Sequence, residues 1–211
     1  MTRVGVIDYG VGNLRSVSNA LSSIGADPII SDHPKTLLGC SRIIFPGVGA
    51  FGFGMQALKQ KGLDEVVLKA ANSEIPLLGI CVGMQLLFES STEFGYHNGL
   101  GIMNGHVDRF NESFDGERPV RLPNVGWSSF NVHDNLDGLG AKVVKGLHAS
   151  SRYYFIHSYH AAADNQNTIA TSCYDGRSFA AIVSKGSVIG TQFHPEKSGP
   201  SGLAMLKNFV R

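Results

Sequence analysis

The residue in this sequence best suited to act as a nucleophile is Cys81, at the centre of a Gly-Ile-Cys-Val-Gly segment. An apolar strand is predicted before this segment and a helix after it. This is the form of a tight strand-to-helix turn that holds its apex side chain exposed. The N-terminus of such a helix lowers the pKa of a thiol and offers backbone N–H groups to an oxyanion. The alternative interpretation is a small, buried and inert core cysteine.

His194 is the best candidate for the general base that a cysteine nucleophile needs. It follows an apolar strand in a Phe-His-Pro-Glu segment, and open α/β sheets place their sites at such strand ends. Residues i and i+2 of an extended segment point to the same side, so the Glu196 carboxylate is expected beside the imidazole, where it can orient the ring. We therefore predict a Cys81–His194–Glu196 triad. Taken alone, the His-Pro-Glu segment also fits a surface turn.

A third segment, Pro-Gly-Val-Gly at residues 46–49, follows another predicted strand and contains two glycines. Because glycine lets a peptide turn with little steric cost, such a loop beside a nucleophile can aim backbone N–H groups at a developing oxyanion. Considered alone, the segment is equally consistent with an ordinary turn.

The elements that must position these segments alternate along the chain between apolar runs, which predict strands, and 3.6-residue periodicity, which predicts helices. In the first part of the chain, strands are expected at residues 3–8, 28–30, 42–45 and 76–80, and helical character at residues 82–89. Such alternation gives right-handed crossovers and a parallel sheet with helices on both faces. From residue 101 to 184, β-rich segments take over. We predict one α/β domain over residues 1–211, with a mixed, largely parallel central sheet flanked by helices.

The composition indicates a folded globular protein, with 43% hydrophobic and 17% charged residues. The 18 Lys and Arg residues nearly balance 17 Asp and Glu residues, which argues against nucleic-acid or anionic-membrane partners because both need a basic surface. No apolar run approaches the about 18 residues of a membrane span, and the first residues lack the apolar region of a signal peptide. We therefore expect a cytoplasmic protein without a membrane partner.

The three cysteines, Cys40, Cys81 and Cys173, are far apart and form no Cys-x-x-Cys pair. We expect reduced thiols, with neither a disulfide framework nor a zinc site. Glycines after the first strand partly match a dinucleotide-binding pattern, but Arg15 replaces the third glycine, whose small size that pattern needs for close packing. We therefore expect neither a metal nor a cofactor.

Together, these motifs resemble the class I (triad) glutamine amidotransferases and, more narrowly, the glutaminase subunits of imidazole glycerol phosphate synthase. The resemblance covers nearly the whole chain. The segments that carry it are residues 8–16, 46–51, 79–85, 124–127, 154–159 and 193–198. It implies a flavodoxin-like fold and hydrolysis of glutamine to glutamate and ammonia. In this family Cys81 would attack the glutamine amide, His194 would carry the proton, and Glu196 would orient His194.

The resemblance also implies the groups that surround the substrate. The N–H of Val82 would give one oxyanion donor, and Val48 or Gly49 would give the second. Gln85 lies one helical turn after the nucleophile and can face the same pocket. With Glu93, which would pair with the α-ammonium group, it would hold the glutamine head group. The alternative for Glu93 is a solvated loop acid.

The resemblance implies a protein partner, a (β/α)₈ cyclase subunit that receives the ammonia in a heterodimer and completes a step of histidine biosynthesis. Lys197 directly follows the predicted triad glutamate, and Pro123 and Trp127 flank a glycine turn. We expect these three residues on the side that faces the synthase, with Lys197 in a salt bridge between subunits. A solvated lysine and a buried tryptophan are the alternatives.

Two other functions remain open from the sequence. The chain can be a glutaminase that serves another synthase, for example a paralogue in sugar biosynthesis. It can also be a peptidase-like or non-enzymatic scaffold that keeps the cysteine turn, although the intact His194 and Glu196 disfavour a degenerate binding module.

Overall fold

The central feature of the computed structural model, which describes residues 1–110, 120–134, 136–148 and 150–211, is an eight-stranded sheet. The strands are β1 (Arg3–Ile7), β2 (Asp27–Ser31), β3 (Arg42–Gly47), β4 (Leu77–Cys81), β5 (Ser90–Ser91), β6 (His97–Asn98), β7 (His106–Arg109), β8 (Asn124–Ser128), β9 (Asn131–Val132), β10 (Tyr153–His157), β11 (Tyr159–Ala161), β12 (Thr168–Tyr174), β13 (Arg177–Lys185) and β14 (Val188–Thr191). The helices are α1 (Leu14–Ser23), α2 (Pro34–Leu38), α3 (Phe51–Gln60), α4 (Asp64–Asn72), α5 (Val82–Gln85), α6 (Gly138–Val144) and α7 (Gly199–Val210), with a 3₁₀ turn at Pro195–Lys197.

The order of strands in this sheet is β2-β1-β3-β4-β14-β13-β12-β9. The five strands from β2 to β14 pair in parallel, and β13, β12 and β9 continue the sheet with antiparallel pairing. Two smaller sheets, β10-β8 and β11-β7-β5-β6, come from the second half of the chain and its central loops. The predicted α/β class and the mixed, largely parallel sheet are confirmed.

The centre of the sheet is buried on both faces, which explains why its strands are continuous apolar runs rather than alternating ones. All five residues of β4 and all four of β14 are buried. Helix α1 contributes Val17, Ala20 and Leu21 to the core, and this three-to-four-residue spacing follows from its helical period. Among the described helices, none is long and apolar enough to cross a membrane.

Two local differences from the sequence expectation concern helices. Helical character was expected over residues 82–89, but α5 is a single turn that ends at Gln85. The carbonyl groups of Leu86, Leu87 and Phe88 accept hydrogen bonds from the backbone of residues 100–103 at 2.9–3.0 Å, so they are not available to continue the helix. Helix α6 lies in the part of the chain where only β-rich segments were expected.

Candidate active site

The predicted site residues meet because the carboxyl ends of three neighbouring parallel strands meet. Gly47, the last residue of β3, lies directly opposite Cys81, the last residue of β4. On the other side of β4, Thr191 at the end of β14 lies opposite Ile80, and the chain reaches His194 three residues later. The sheet therefore places the candidate nucleophile between the Pro-Gly-Val-Gly loop and the candidate base.

The turn at Cys81 is tight, and both flanking glycines are required by its packing. Cys81 has a φ of 55°, in a region that non-glycine residues rarely occupy and that costs about 1–3 kcal/mol. A Cβ at Gly79 would lie 2.9 Å from backbone atoms of Gly83 and Met84. A Cβ at Gly83 would overlap the carbonyl oxygen of Phe45. The helix can follow the strand this closely only because neither position carries a side chain.

His194 and Glu196 form a buried hydrogen-bonded pair. Nδ1 of His194 donates to Oε1 of Glu196 at 2.8 Å, and the two side chains are 3% and 0% exposed. Glu196 lies in the 3₁₀ turn rather than in an extended segment, so the turn, not strand alternation, brings the carboxylate to the ring. Among the described residues, Nε2 of His194 has no hydrogen-bond partner, which leaves it available to the reacting groups.

The pKa of His194 reflects a balance between burial and its neighbours. Burial lowers the pKa, but the ionised sulfur of Cys81 and the Glu196 carboxylate outweigh this effect and raise the pKa from 6.5 to about 10. Because the rise depends on the charge of the sulfur, an imidazolium at His194 and a thiolate at Cys81 stabilise each other as an ion pair. The site therefore holds a proton donor next to its candidate nucleophile.

A cavity of about 210 Å³ opens above Cys81. Its lining contains eight of the eleven residues predicted for the site and interface, namely Val48, Gly49, Cys81, Val82, Gln85, Glu93, His194 and Lys197. Within the described part of the chain, no group of three or more His, Cys, Asp or Glu side chains is arranged to hold a metal ion. The arrangement suits covalent chemistry on a small polar molecule.

Gln85 and Glu93 enter this cavity with parts of their polar groups already engaged. Nε2 of Gln85 donates to the carbonyl of Tyr159 at 2.9 Å and to Oε1 of Gln192 at 3.1 Å, and neither bond uses its own Oε1. Oε2 of Glu93 accepts from the N–H of Phe51 at 2.6 Å. Burial raises the pKa of Glu93, against smaller opposing effects of that N–H and of His97. Both side chains can thus contact a ligand while they are held in place by the protein.

The Pro-Gly-Val-Gly loop is fixed at both ends and open in its middle. A Cβ at Gly47 would lie 2.7 Å from the hydroxyl of Tyr9, so this residue is packed tightly. Phe51, the first residue of α3, is held by Glu93. Between them Val48 is 38% exposed. Gly49 has a φ of +89°, and a Cβ at this residue would have no other atom within 4 Å. Rotation of a peptide in this loop would therefore meet little resistance at Gly49.

The sequence reasoning missed Gln192. This side chain is fully buried, and its Nε2 lies 3.9 Å from Sγ of Cys81. A signal was present, since Gln192 lies two residues before His194, and alternation along an extended strand places both on the same side.

His157 was also missed as a residue of the cavity wall. Its Nδ1 donates to the carbonyl of Tyr159 at 2.9 Å, and Nε2 lies 3.1 Å from Nδ2 of Asn124, which fixes Nε2 as the acceptor. Burial lowers the pKa of His157 to about 3, so the ring is neutral and serves as part of the wall. No sequence spacing distinguishes this histidine from the others.

The three predicted interface residues are all exposed. Nζ of Lys197 lies 5.8 Å from the centre of the Tyr154 ring, and Trp127, which is 50% exposed, lies 5.9 Å from the same ring. Pro123 directly precedes β8, the strand that carries Trp127. Lys197, Tyr154 and Trp127 therefore form a continuous surface that begins at the mouth of the cavity.

Sequence comparisons with known proteins all indicate one family. The family model "Glutamine amidotransferase class-I" matches residues 5–211. The chain is 41% identical to the imidazole glycerol phosphate synthase subunit HisH of Geobacter sulfurreducens, over 99% of this chain and 98% of that protein. It is 43% identical to the HisH subunit of Wolinella succinogenes, over 98% of each. The HisH subunit of Methanosarcina acetivorans is 44% identical, over 100% of this chain and 98% of its own.

Solved structures share the fold. A crystal structure of a glutamine amidotransferase superposes with a TM-score of 0.72 at 20% identity, and covers 98% of this chain and 97% of that one. The PurLQS structure from Thermotoga maritima gives the same TM-score and identity, over 100% of this chain and 98% of the matched one.

Proposed function

The chain belongs to the class I glutamine amidotransferases, and from this membership we propose that it is the glutaminase subunit of an imidazole glycerol phosphate synthase. The observation that carries the proposal is the strained Cys81 turn beside the buried His194–Glu196 pair, in one cavity with Gln85 and Glu93. Identity of about 40% to HisH subunits over nearly the full chain supports this subunit over a sugar-biosynthesis paralogue or a non-enzymatic scaffold. We propose that residues 1–211 act as one domain.

In the proposed reaction, Cys81 and His194 share the proton transfers. Cys81 attacks as the thiolate, with its proton held on Nε2 of His194; the sulfur bonds to the side-chain amide carbon of glutamine and forms a tetrahedral oxyanion. When this collapses, the C–N bond breaks, the leaving nitrogen takes a proton from His194 and departs as ammonia, and a thioester remains. Water then attacks the thioester, with His194 accepting its proton. The second tetrahedral adduct collapses to release the Cys81 thiolate and glutamate, whose carboxyl proton passes to the ammonia. Glu196 holds the imidazole ring so that Nε2 faces the leaving nitrogen in the first step and the attacking water in the second.

The remaining cavity residues would bind charge. The N–H of Val82 begins α5 and has no acceptor within the helix, so it can donate to the oxyanion, and Val48 or Gly49 would supply the second N–H. Glu93 would form an ion pair with the α-ammonium group of glutamine. Oε1 of Gln85 would accept a hydrogen bond from the same ammonium group. No cofactor is needed for this chemistry, since each step uses only acid, base and nucleophile.

The proposed partner is a (β/α)₈ cyclase subunit in a heterodimer. Ammonia released here would pass to that subunit, which would convert a phosphoribulosyl aminoimidazole-carboxamide nucleotide to imidazole glycerol phosphate and the carboxamide ribonucleotide. A cytoplasmic location is part of this proposal, supported by the unpaired thiols of Cys40, Cys81 and Cys173.

The proposal is tested by incubating the chain with glutamine and measuring glutamate and ammonia, with and without candidate barrel-type synthases. Stimulation by the histidine-pathway cyclase, and not by a sugar-pathway synthase, is the expected result. Stimulation by the sugar-pathway synthase alone would assign the chain to that paralogue. Absence of glutamine hydrolysis with every partner would leave only the scaffold interpretation.

Reversing the charge of Lys197 is expected to weaken the complex. Lys197→Glu should raise the Kd for the synthase about tenfold or more, because an attractive pair at the cavity mouth becomes repulsive. Thermal stability should hardly change, since the side chain is exposed and its ammonium group lies over the Tyr154 ring. Glutamine-driven synthesis at limiting partner concentration measures the effect, with the exposed Lys207→Glu on α7 as a charge-matched control. Equal activity of the two variants would remove Lys197 from the interface.

A further inference from the structure

Gln192 makes a polar contact with the sulfur of Cys81. Its side chain is 0% exposed, at the end of the strand that leads to His194. Nε2 lies 3.9 Å from Sγ of Cys81, within reach of an N–H···S hydrogen bond that would shorten as the sulfur gains charge. A buried amide in contact with a nucleophile has more than a packing effect, because its dipole acts on the charge of the sulfur.

The orientation of this amide follows from its other neighbour. Nε2 of Gln85 donates both to the carbonyl of Tyr159 and to Oε1 of Gln192. If the Gln192 amide were reversed, two NH₂ groups would face each other, since Gln85 cannot turn its oxygen toward the Tyr159 carbonyl. The NH₂ group of Gln192 therefore faces the sulfur.

Two of the polar contacts of the sulfur oppose each other. The thiol S–H can donate to the carbonyl of Ile156, with Sγ at 3.9 Å from the oxygen, and this contact favours the neutral thiol. The amide of Gln192 can only donate to the sulfur, and a donor favours the thiolate. When Cys81 ionises, the carbonyl repels the sulfur and the amide attracts it.

We propose that Gln192 is a donor to the Cys81 thiolate, which stabilises the ionised nucleophile and holds its sulfur in the position for attack. This inference rests on the proposed function, in which Cys81 is the nucleophile. The Gln85–Gln192–Cys81 series also joins the residue that would contact the glutamine head group to the reacting atom. Substrate contact with Gln85 thus acts on the same amide that positions the sulfur.

Other groups around the sulfur also affect its ionisation, and they stay unchanged in the test. The titratable and charged groups that face Cys81 or line its cavity are Tyr9, Glu93, His157, Tyr159, His194, Glu196 and Lys197. Because substitution of Gln192 alters none of them, a change in the pH dependence of Cys81 reports the loss of the amide.

The test is the rate of alkylation of Cys81 by iodoacetamide from pH 5 to 10 in the full chain, mapped by peptide mass. Gln192→Met keeps the length of the side chain and removes the donor, and Gln192→Leu removes it with a branched apolar side chain; neither adds a charge. We expect the midpoint of the pH profile to rise by about one unit, and the rate at pH values well below the midpoint to fall about tenfold. The rate at high pH, where the thiol is ionised in every variant, should be unchanged.

Two controls separate this role from a structural one. Cys173 is exposed, and its alkylation in the same sample should be identical in all variants. Thr191→Val changes the adjacent buried residue, whose hydroxyl donates to the carbonyl of Phe193, and should leave the Cys81 midpoint unchanged. If both Gln192 variants fold and keep the wild-type midpoint, the inference is wrong. If a glutamine-mimicking electrophile fails to label Cys81 in the unchanged chain, the proposed function itself fails.

Discussion

The Cys81→Ala variant is expected to lose glutamine-dependent synthesis in the complex while ammonia-dependent synthesis by the partner continues. The sulfur forms the covalent intermediate, so its removal should lower kcat for glutamine by about 10⁴-fold or more. Added ammonia bypasses this step, because the partner subunit carries out the rest of the reaction. Rates of synthesis with glutamine and with ammonium salt, measured on the same complex, give the comparison.

Matched cysteine variants make this result specific. Cys173→Ala removes an exposed thiol and Cys40→Ala a buried one, and both should keep glutamine-dependent synthesis. Labelling by a glutamine-mimicking electrophile should map to Cys81 in the wild type and disappear in Cys81→Ala. A Cys81→Ala complex that still uses glutamine would show that another group is the nucleophile.

The part of the site that the sequence predicts best is the part fixed by local backbone geometry. The Gly-x-Cys-x-Gly segment is informative because two glycines must flank a turn in which the helix passes against Phe45 and its own strand. The alternation of apolar runs and helical periodicity likewise led to the parallel half of the sheet, since each crossover is a local unit.

The features that the sequence did not predict depend on contacts between distant segments. The early end of α5 at Gln85 depends on hydrogen bonds from residues 100–103. The contact of Gln192 with Cys81 joins residues 111 positions apart. For His157, the amide of Asn124, 33 positions away, makes Nε2 the acceptor, and burial keeps the ring neutral. Periodicity and spacing carry no information about such pairings.

The largest regulatory effect is expected at the loop of residues 46–49. A glutaminase that works without its partner releases ammonia that no synthase uses. We therefore expect the oxyanion site to be completed only in the complex with the partner subunit and its nucleotide substrate. Any movement is expected between two anchors, Gly47, which is packed against Tyr9, and Phe51, whose N–H is held by Glu93. Rotation of one peptide would exchange a carbonyl for an N–H at the oxyanion.

The size of the effect follows from the value of one oxyanion donor, about 2.7–4 kcal/mol, or two to three orders of magnitude in rate. We therefore expect low glutaminase activity for the isolated chain. When partner and nucleotide substrate are both present, kcat should rise about 10²–10³-fold, with a smaller change in KM. Nucleotide bound to the partner subunit favours the rotated loop only to the extent that it binds more tightly to the complex in which the loop is rotated.

Gly49→Pro should greatly reduce the rise in kcat that partner and nucleotide cause. Proline fixes φ near −65° and has no N–H, whereas Gly49 has a φ of +89°, so the variant loses both the observed conformation and one candidate donor. Gly25→Pro is the matched control: Gly25 has a φ of +82° at the end of α1, outside the cavity lining. It should lower stability but keep the ratio of stimulated to basal rate. Full glutaminase activity of the isolated wild-type chain would rule out the loop mechanism, while the assignment of Cys81, His194 and Glu196 would stand.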